Sequence, residues 1–303
     1  MFDLFVVVYE NDYPLLKILA HSVSKFCQSL PINQIVIVEN SNNPTYNIED
    51  ISLHFGNLAR FVKIVRWQEI YSGHLTEDGY VRQQVLKLIA HKACHAENIV
   101  ILDAKNFFIK EINEHTFIND GKLIAQYDND ILEGDLPCYP LKKYVFDLFN
   151  IDMSVKTLPI VTPFLIKRKF LEELEVVLLS DFNLTPDSFF GNFVPAHTNE
   201  FYPMQSHIIS KHGKLEDHYF ITNDFVNSLW DRDLHLITTD MSLSKFLTQS
   251  YMTNSNILVS GIHRRAIIKM NDDLRNQIIA FWVDTGICNI EIATDIINDI
   301  VNE

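Results

Sequence analysis

Through the first third of the chain, short apolar runs rich in Val and Ile alternate with amphipathic stretches, and no other feature constrains the fold more. Leu4 to Tyr9 is one such run, ended by Glu10-Asn11-Asp12-Tyr13-Pro14. Residues 14–28 then place Leu15, Leu16, Leu19, Val23 and Phe26 at helical spacing. Gln34 to Glu39 (QIVIVE) and Phe61 to Trp67 (FVKIVRW) read as further strands. A helix over about 80–95 follows, and then a strand from Asn98 to Asp103 (NIVILD). Runs without apolar–polar alternation are buried on both faces. The β-α-β-β-α-β order therefore predicts an open, mainly parallel sheet with helices on both sides. In such sheets ligands sit outside the carboxyl ends of the strands, where Tyr9-Glu10-Asn11, Glu39-Asn40-Ser41 and Asp103-Ala104-Lys105-Asn106 cluster.

The rest of the chain is less regular. Strands are expected at Ile160–Ile166 and Ile257–Val259, and helices after Lys167-Arg168-Lys169, around 199–212 and over 272–302. With 303 residues and 47% hydrophobic content, the chain can bury a large core without disulfide or metal staples. Lys and Arg number 25 against 39 Asp and Glu, a net charge of −14, which argues against a general grip on nucleic acid or anionic lipid. Cys27, Cys94, Cys138 and Cys288 are scattered, as reduced thiols in a cytoplasm would be. The N-terminus lacks the basic segment of a signal peptide, and no apolar run reaches membrane-spanning length.

The most informative stretch is Gly79-Tyr80-Val81-Arg82-Gln83-Gln84-Val85-Leu86-Lys87-Leu88, followed closely by the strand that ends Leu102-Asp103-Ala104-Lys105-Asn106. A helix here would present Arg82 and Gln83 to the strand-end rim, where its N-terminus favours an anion. Asp103 closes a buried strand, a costly position for a carboxylate without a partner. GxxxxGK[ST], GxGxxG and GxSxG are absent, which disfavours P-loop ATPases, classical dinucleotide enzymes and α/β-hydrolases. His91, Cys94 and His95 have a ligand-compatible spacing but no Glu of an HExxH motif. Exposed residues at a helix C-terminus account for them better than a metal.

With GYxxQQxLKL ahead of a strand ending LDxxN, the chain resembles the GT-A glycosyltransferases, and within them a group of uncharacterised bacterial GT-A-like sequences. The resemblance implies a GT-A-like (Rossmann-like) α/β fold over residues 1–270, with a helical C-terminal extension over 271–303. It implies transfer of a sugar from a nucleotide-sugar donor to a hydroxyl of a glycan or glycolipid acceptor, a bacterial surface glycan or its precursor. A cytoplasmic location, peripheral at the inner membrane, goes with that reading. In the family a DxD motif holds a divalent ion, Mn or Mg, against the donor diphosphate. Here Asp103-Ala104-Lys105 puts Lys105 where the second Asp would stand, and a protonated lysine cannot ligate a hard cation.

Three readings of Lys105 stay open. It supplies positive charge to the diphosphate itself; it pairs with Asp103 while Asn106 faces the ligand; or the turn is a local ion pair and nothing more. Val259-Ser260-Gly261-Ile262-His263-Arg264-Arg265 resembles the late basic element of GT-A proteins, which makes His263 and Arg264 candidate diphosphate contacts and His263 a second candidate metal ligand beside Asp103. A solvated basic turn is the plain alternative. Glu200, in His197-Thr198-Asn199-Glu200, lies where an inverting enzyme brings its catalytic base, and it equally suits the capped first turn of a helix. Asp224 and Asp231 are weaker candidates for the same task, and Trp230 is either a flat face for a sugar or, more commonly for such a residue, a core or rim side chain. By family analogy Val8 and Tyr9 lie along the nucleoside with Asp12 or Glu39 as its hydrogen-bond partner, and Gln83 and Gln84 contact the sugar or orient neighbours. Two other classes compete. One is a non-catalytic GT-A-fold module that binds a nucleotide or glycan. The other is a nucleotidyltransferase, disfavoured because no Gly-rich basic loop follows the first strand.

Overall fold

A computed structural model describes the chain except for residues 43–47, 74, 127–138, 192, 194–197, 223–224, 238–240, 250–256 and 303. The central sheet is built from β1 (Phe2–Val8), β2 (Ile32–Glu39), β3 (Val62–Arg66), β4 (Asn98–Asp103) and β8 (Phe164–Lys167), in the order β3-β2-β1-β4-β8. The first four pair in parallel and β8 runs antiparallel to β4. Every residue of β1 is buried, as expected of a central strand covered on both faces. The register sets Val8 beside Glu39 and Val7 beside Asp103, so the polar ends of β1, β2 and β4 share one rim.

Two smaller sheets flank this one. β5 (Asn106–Phe108), β10 (Val226–Leu229) and β11 (Val259–Ile262) take the order β10-β11-β5, while β6 (Ile118–Asn119), β7 (Lys122–Gln126) and β9 (Tyr219–Thr222) take the order β6-β7-β9. The longer helices are α1 (Tyr13–Phe26), α2 (Gly79–Leu88), α3 (Tyr139–Leu148), α4 (Arg168–Ser180), α5 (Phe201–His212), α6 (Asp272–Asp284) and α7 (Ile290–Asn302). They cover both faces of the sheet. The stripe Leu15, Leu16, Leu19, Val23 and Phe26 of α1 is buried, and Pro14 sits in its first turn, where a missing N–H costs nothing. α6 and α7 close on the same core. Trp282 is fully buried edge-on to Phe107, and Lys17 of α1 pairs with Asp299 of α7 at 3.1 Å.

Several sequence expectations shift. The helix expected over 80–95 ends at Leu88, and the chain then turns back so that the N–H groups of His95 and Ala96 reach the buried Asp3 carboxylate. Cys94 is buried in that turn instead of exposed on a helix end, and the neighbouring His91 meets Glu175 at 3.0 Å. The strand expected at Ile160–Ile166 starts only at Phe164, because Pro163 cannot donate to a ladder and Thr162 turns toward Asp103. The strand expected at Ile257–Val259 instead spans Val259–Ile262, running through Gly261. Among the described residues Cys27, Cys94 and Cys288 are free thiols, and no helix is long and apolar enough to cross a membrane.

Candidate functional site

The strand ends of β1 and β4, the first two turns of α2, the start of α5 and the loop after β11 enclose a cleft of about 610 Å³. Its centre is Asp103, the last residue of β4. Four side-chain donors surround that carboxylate. Lys87 Nζ lies 2.6 Å from Oδ1, and Gln83 Nε2 donates to the same oxygen at 3.2 Å. Lys105 Nζ and Thr162 Oγ1 donate to Oδ2, the latter at 2.9 Å. Burial alone would raise the Asp103 pKa, but the Lys105 and Lys87 ammoniums outweigh it and hold the carboxyl far below its ordinary range.

Lys87 is the keystone of the arrangement. It is 3% exposed and bridges Asp103 to Glu200 Oε1, 2.8 Å away. Burial disfavours its charge, yet the two carboxylates push its pKa above the ordinary value. Gln83 and Lys87 stand four residues apart on α2 and so share one face, the face that meets Asp103. That spacing was readable in the sequence, although only the partners from β4 and α5 give Lys87 its role. Glu200 itself is 2% exposed, and burial raises its pKa while Lys87 opposes the rise. The start of α5 is capped by Asn199, whose Oδ1 accepts from the N–H groups of Phe201 and Tyr202, so Glu200 is released from capping to face the cleft. Asp103 and Glu200 against Lys87 and Lys105 make a network of zero net charge.

A second wall comes from Trp230 and His263. Their rings stack at 4.7 Å between centroids, and the Lys105 ammonium lies 5.1 Å from the Trp230 ring. His263 caps the short helix Arg264–Lys269, its Nδ1 accepting from the Arg265 N–H. Burial, with help from the charges of Lys105 and Arg265, lowers its pKa to about 4. His263 is therefore neutral near pH 7 and adds no positive charge, contrary to expectation. Arg264 meets Asp12 at 3.7 Å, and Arg265 is exposed at the rim of the cleft.

The sequence candidates separate into three groups. Asp103, Lys105, Gln83, Gln84, Glu200, His263 and Arg264 line the cleft. Val8, Tyr9 and Glu39 line a shallow depression with Tyr13, Ser41 and Ile48; burial raises the pKa of Glu39, and Arg66 opposes it. Arg82 and Asn106 lie behind the cleft wall. Arg82 turns from the cleft to the end of β2, its Nε and Nη2 donating to Asn40 and its Nη1 to Asn42. Asn106 is fully buried, accepting the Asp103 N–H at 2.8 Å and donating to the Thr162 carbonyl at 3.1 Å. Both brace the rim and do not face the cleft, because their polar atoms are spent on backbone and neighbouring amides. The anion site expected at the start of α2 is filled by the chain itself, since the Asp78 carboxylate accepts from the N–H groups of Tyr80 and Val81. Asp231 lies outside the cleft lining and pairs with Lys269, while His197 and Asp224 lie outside the described residues.

Gly261 is needed for a reason other than ligand approach. A Cβ there would stand 2.7 Å from Ser228 Oγ and 3.3 Å from Asn106 Nδ2, so glycine lets β11 close on β10 and on the turn after Asp103.

A divalent ion does not fit this donor set. Every lone-pair direction of Asp103 already accepts a proton, and the Lys105 ammonium stands where a second carboxylate would be required. His263 accepts at Nδ1, so its Nε2 carries the proton and offers no lone pair.

An open sheet of mainly parallel strands, helices on both faces and a polar cleft at the strand ends define a GT-A-type α/β fold. Two solved structures of the galactosyltransferase LgtC share it. One, in complex with donor and acceptor sugar analogs, aligns at TM-score 0.54 and 10% identity over 98% of this chain and 95% of that one. The other, an active-site mutant of LgtC, aligns at TM-score 0.53 and 11% identity over 86% of each chain. The chain belongs to a family of unknown function, DUF6492, whose model matches residues 6–184. A search of curated protein sequences finds no match.

Proposed function

We propose that the cleft transfers a sugar from a nucleotide-sugar donor to a hydroxyl of a glycan or glycolipid acceptor, a bacterial surface glycan or its precursor. The reaction would run on the cytoplasmic side, with the protein soluble or peripheral at the inner membrane. The observation that carries the reading is the buried Asp103–Lys87–Glu200 bridge, set at the strand ends of a GT-A-type fold and open to a cleft of sugar-nucleotide size.

In this reading the nucleoside lies along Val8, Tyr9 and Glu39 at the strand ends, and the diphosphate reaches toward Lys105, Arg264 and Arg265. Lys105, pre-oriented by Asp103 and Trp230, stabilises the charge that grows on the departing diphosphate, work that a metal ion does in many such sites. Neutral His263 offers an Nε2–H donor to the same oxygens. Trp230 gives the sugar a flat face, and Gln83 and Gln84 orient it. For an inverting transfer, Glu200 takes the acceptor hydroxyl proton as the oxygen bonds to the anomeric carbon and the bond to phosphate breaks. A retaining transfer uses no such base, and the anomeric configuration of the product distinguishes the two.

The test is nucleotide release from a panel of nucleotide sugars in Mn²⁺, in Mg²⁺ and in EDTA. Release that survives EDTA, and that is lost in Asp103→Ala and Lys105→Ala with folding intact, is the expected result. Full release in both variants would refute the site assignment. A second reading, a non-catalytic module for nucleotides or glycans, is favoured by the saturation of Asp103 and the burial of Glu200 under Lys87. Nucleotide binding without release for any donor, tested with acceptor glycans present, would decide for it.

A further inference from the structure

The end of α5 opposite Glu200 carries a cluster that plays no part in the cleft. Glu173 of α4 directs its Oε2 at two imidazoles of α5, at 3.3 Å from His207 Nε2 and 2.5 Å from His212 Nε2. These three ligand atoms lie within 4.8 Å of one another. Ligands arranged tetrahedrally around zinc, at about 2.0–2.1 Å from it, stand roughly 3.4 Å apart. The cluster is thus close to coordination spacing before any ion enters.

We infer that Glu173, His207 and His212 form a site for a borderline divalent cation, zinc above all, which pins the C-terminal end of α5 to α4. Two imidazoles and one carboxylate are the donors such an ion prefers over Mg²⁺ or Ca²⁺, which want oxygen alone. The His207 side chain is 1% exposed, and its Nε2 faces the Glu173 carboxylate from inside the helix pair. Its Nε2, which lies with the Glu173 and His212 ligand atoms, is the nitrogen that meets the ion. Glu173 and His212 are 43% and 24% exposed, giving the ion an entrance from solvent and room for a water as fourth ligand. Lys211, on the same helix, pairs with Asp181 at 3.4 Å. Phe170 packs against the rings of both His212 and His218, and His218 Nε2 lies 3.1 Å from the His212 carbonyl, which together fix the His212 ring and backbone.

The experiment uses the full-length protein, stripped with chelator and then titrated with Zn²⁺ while thermal unfolding is followed, and with Co²⁺ while visible absorption is followed. The expected result is one Co²⁺ bound with tetrahedral ligand-field bands, and a melting temperature that rises with Zn²⁺. His212→Ala and Glu173→Gln, both partly exposed changes whose folding circular dichroism checks, should each weaken binding at least about tenfold. Asp103→Asn should leave it unchanged, which separates this site from the cleft. No rise with Zn²⁺ in the unmodified protein, a rise retained in both site variants, or a rise lost in Asp103→Asn would each overturn the inference.

Discussion

Removing the Lys87 ammonium tests the central network most directly. Lys87→Met keeps an unbranched side chain of similar length but leaves Asp103 and Glu200 facing each other with Lys105 as the one remaining cation of the four-charge network. Breaking a buried ion pair in this way typically costs about 3–5 kcal/mol. An independent bound comes from Glu200, which is 2% exposed and in the variant would fold in its protonated form. With an unfolded pKa near 4.3, taking up that proton at pH 7 costs about 3.7 kcal/mol, and at pH 5 about 1 kcal/mol. The two routes agree, and the second sets the sign. A carboxyl whose folded pKa is raised supports the fold below its unfolded pKa and loses that support as pH rises toward the folded value.

Urea denaturation at both pH values is therefore expected to show a loss of about 3–4 kcal/mol at pH 7 that shrinks to about 1 kcal/mol at pH 5. The double variant Lys87→Met/Glu200→Gln should be more stable than Lys87→Met at pH 7, because it removes the unpaired charge. A loss below about 1 kcal/mol at pH 7, or an equal loss at both pH values, would refute the account of Lys87 as the bridge.

Four further outcomes follow. Lys105→Ala should lower nucleotide release by about 100-fold or more, with no rescue by Mn²⁺, since the cleft lacks the ligands to bind that ion in its place; recovery in Mn²⁺ would show that it does bind there. Arg82→Ala should destabilise the protein by roughly 1–3 kcal/mol through the stranded Asn40 and Asn42 groups, while nucleotide affinity measured by calorimetry stays within about twofold. Gly261→Ala should cost about 1–3 kcal/mol in thermal or urea unfolding, from the 2.7 Å approach to Ser228 Oγ, and Ser228→Gly should recover part of the loss. On acidification, the stability contributed by Asp103 is present above its unfolded pKa of about 3.9 and is lost as pH falls below it. Asp103→Asn should accordingly flatten the acid limb of the unfolding curve.

Local pattern carried the sheet. Unbroken apolar strands such as FDLFVVV and NIVILD can exist only between two helical layers, and their polar ends mark the rim whatever packs around it. The amphipathic stripe of α1 was equally legible, because 3.6-residue periodicity is written in consecutive side chains. Of the two minor sheets only β11 was marked, two residues out of place; the other strands, two to five residues each, were not, since so few residues show no periodicity and depend on partners far along the chain.

The site divides along the same line. Asp103 was marked by its place at the end of a buried strand, and Lys105, Glu200 and His263 by the resemblance to the GT-A glycosyltransferases. Burial decided the remainder. It turned Arg82 and Asn106 from expected donor contacts into braces, made His263 neutral, and brought α2, β4 and α5 together so that Lys87 joins two carboxylates distant in sequence. A sequence states which charges a chain carries. Which of them lose their water and must find each other is settled only when the elements pack.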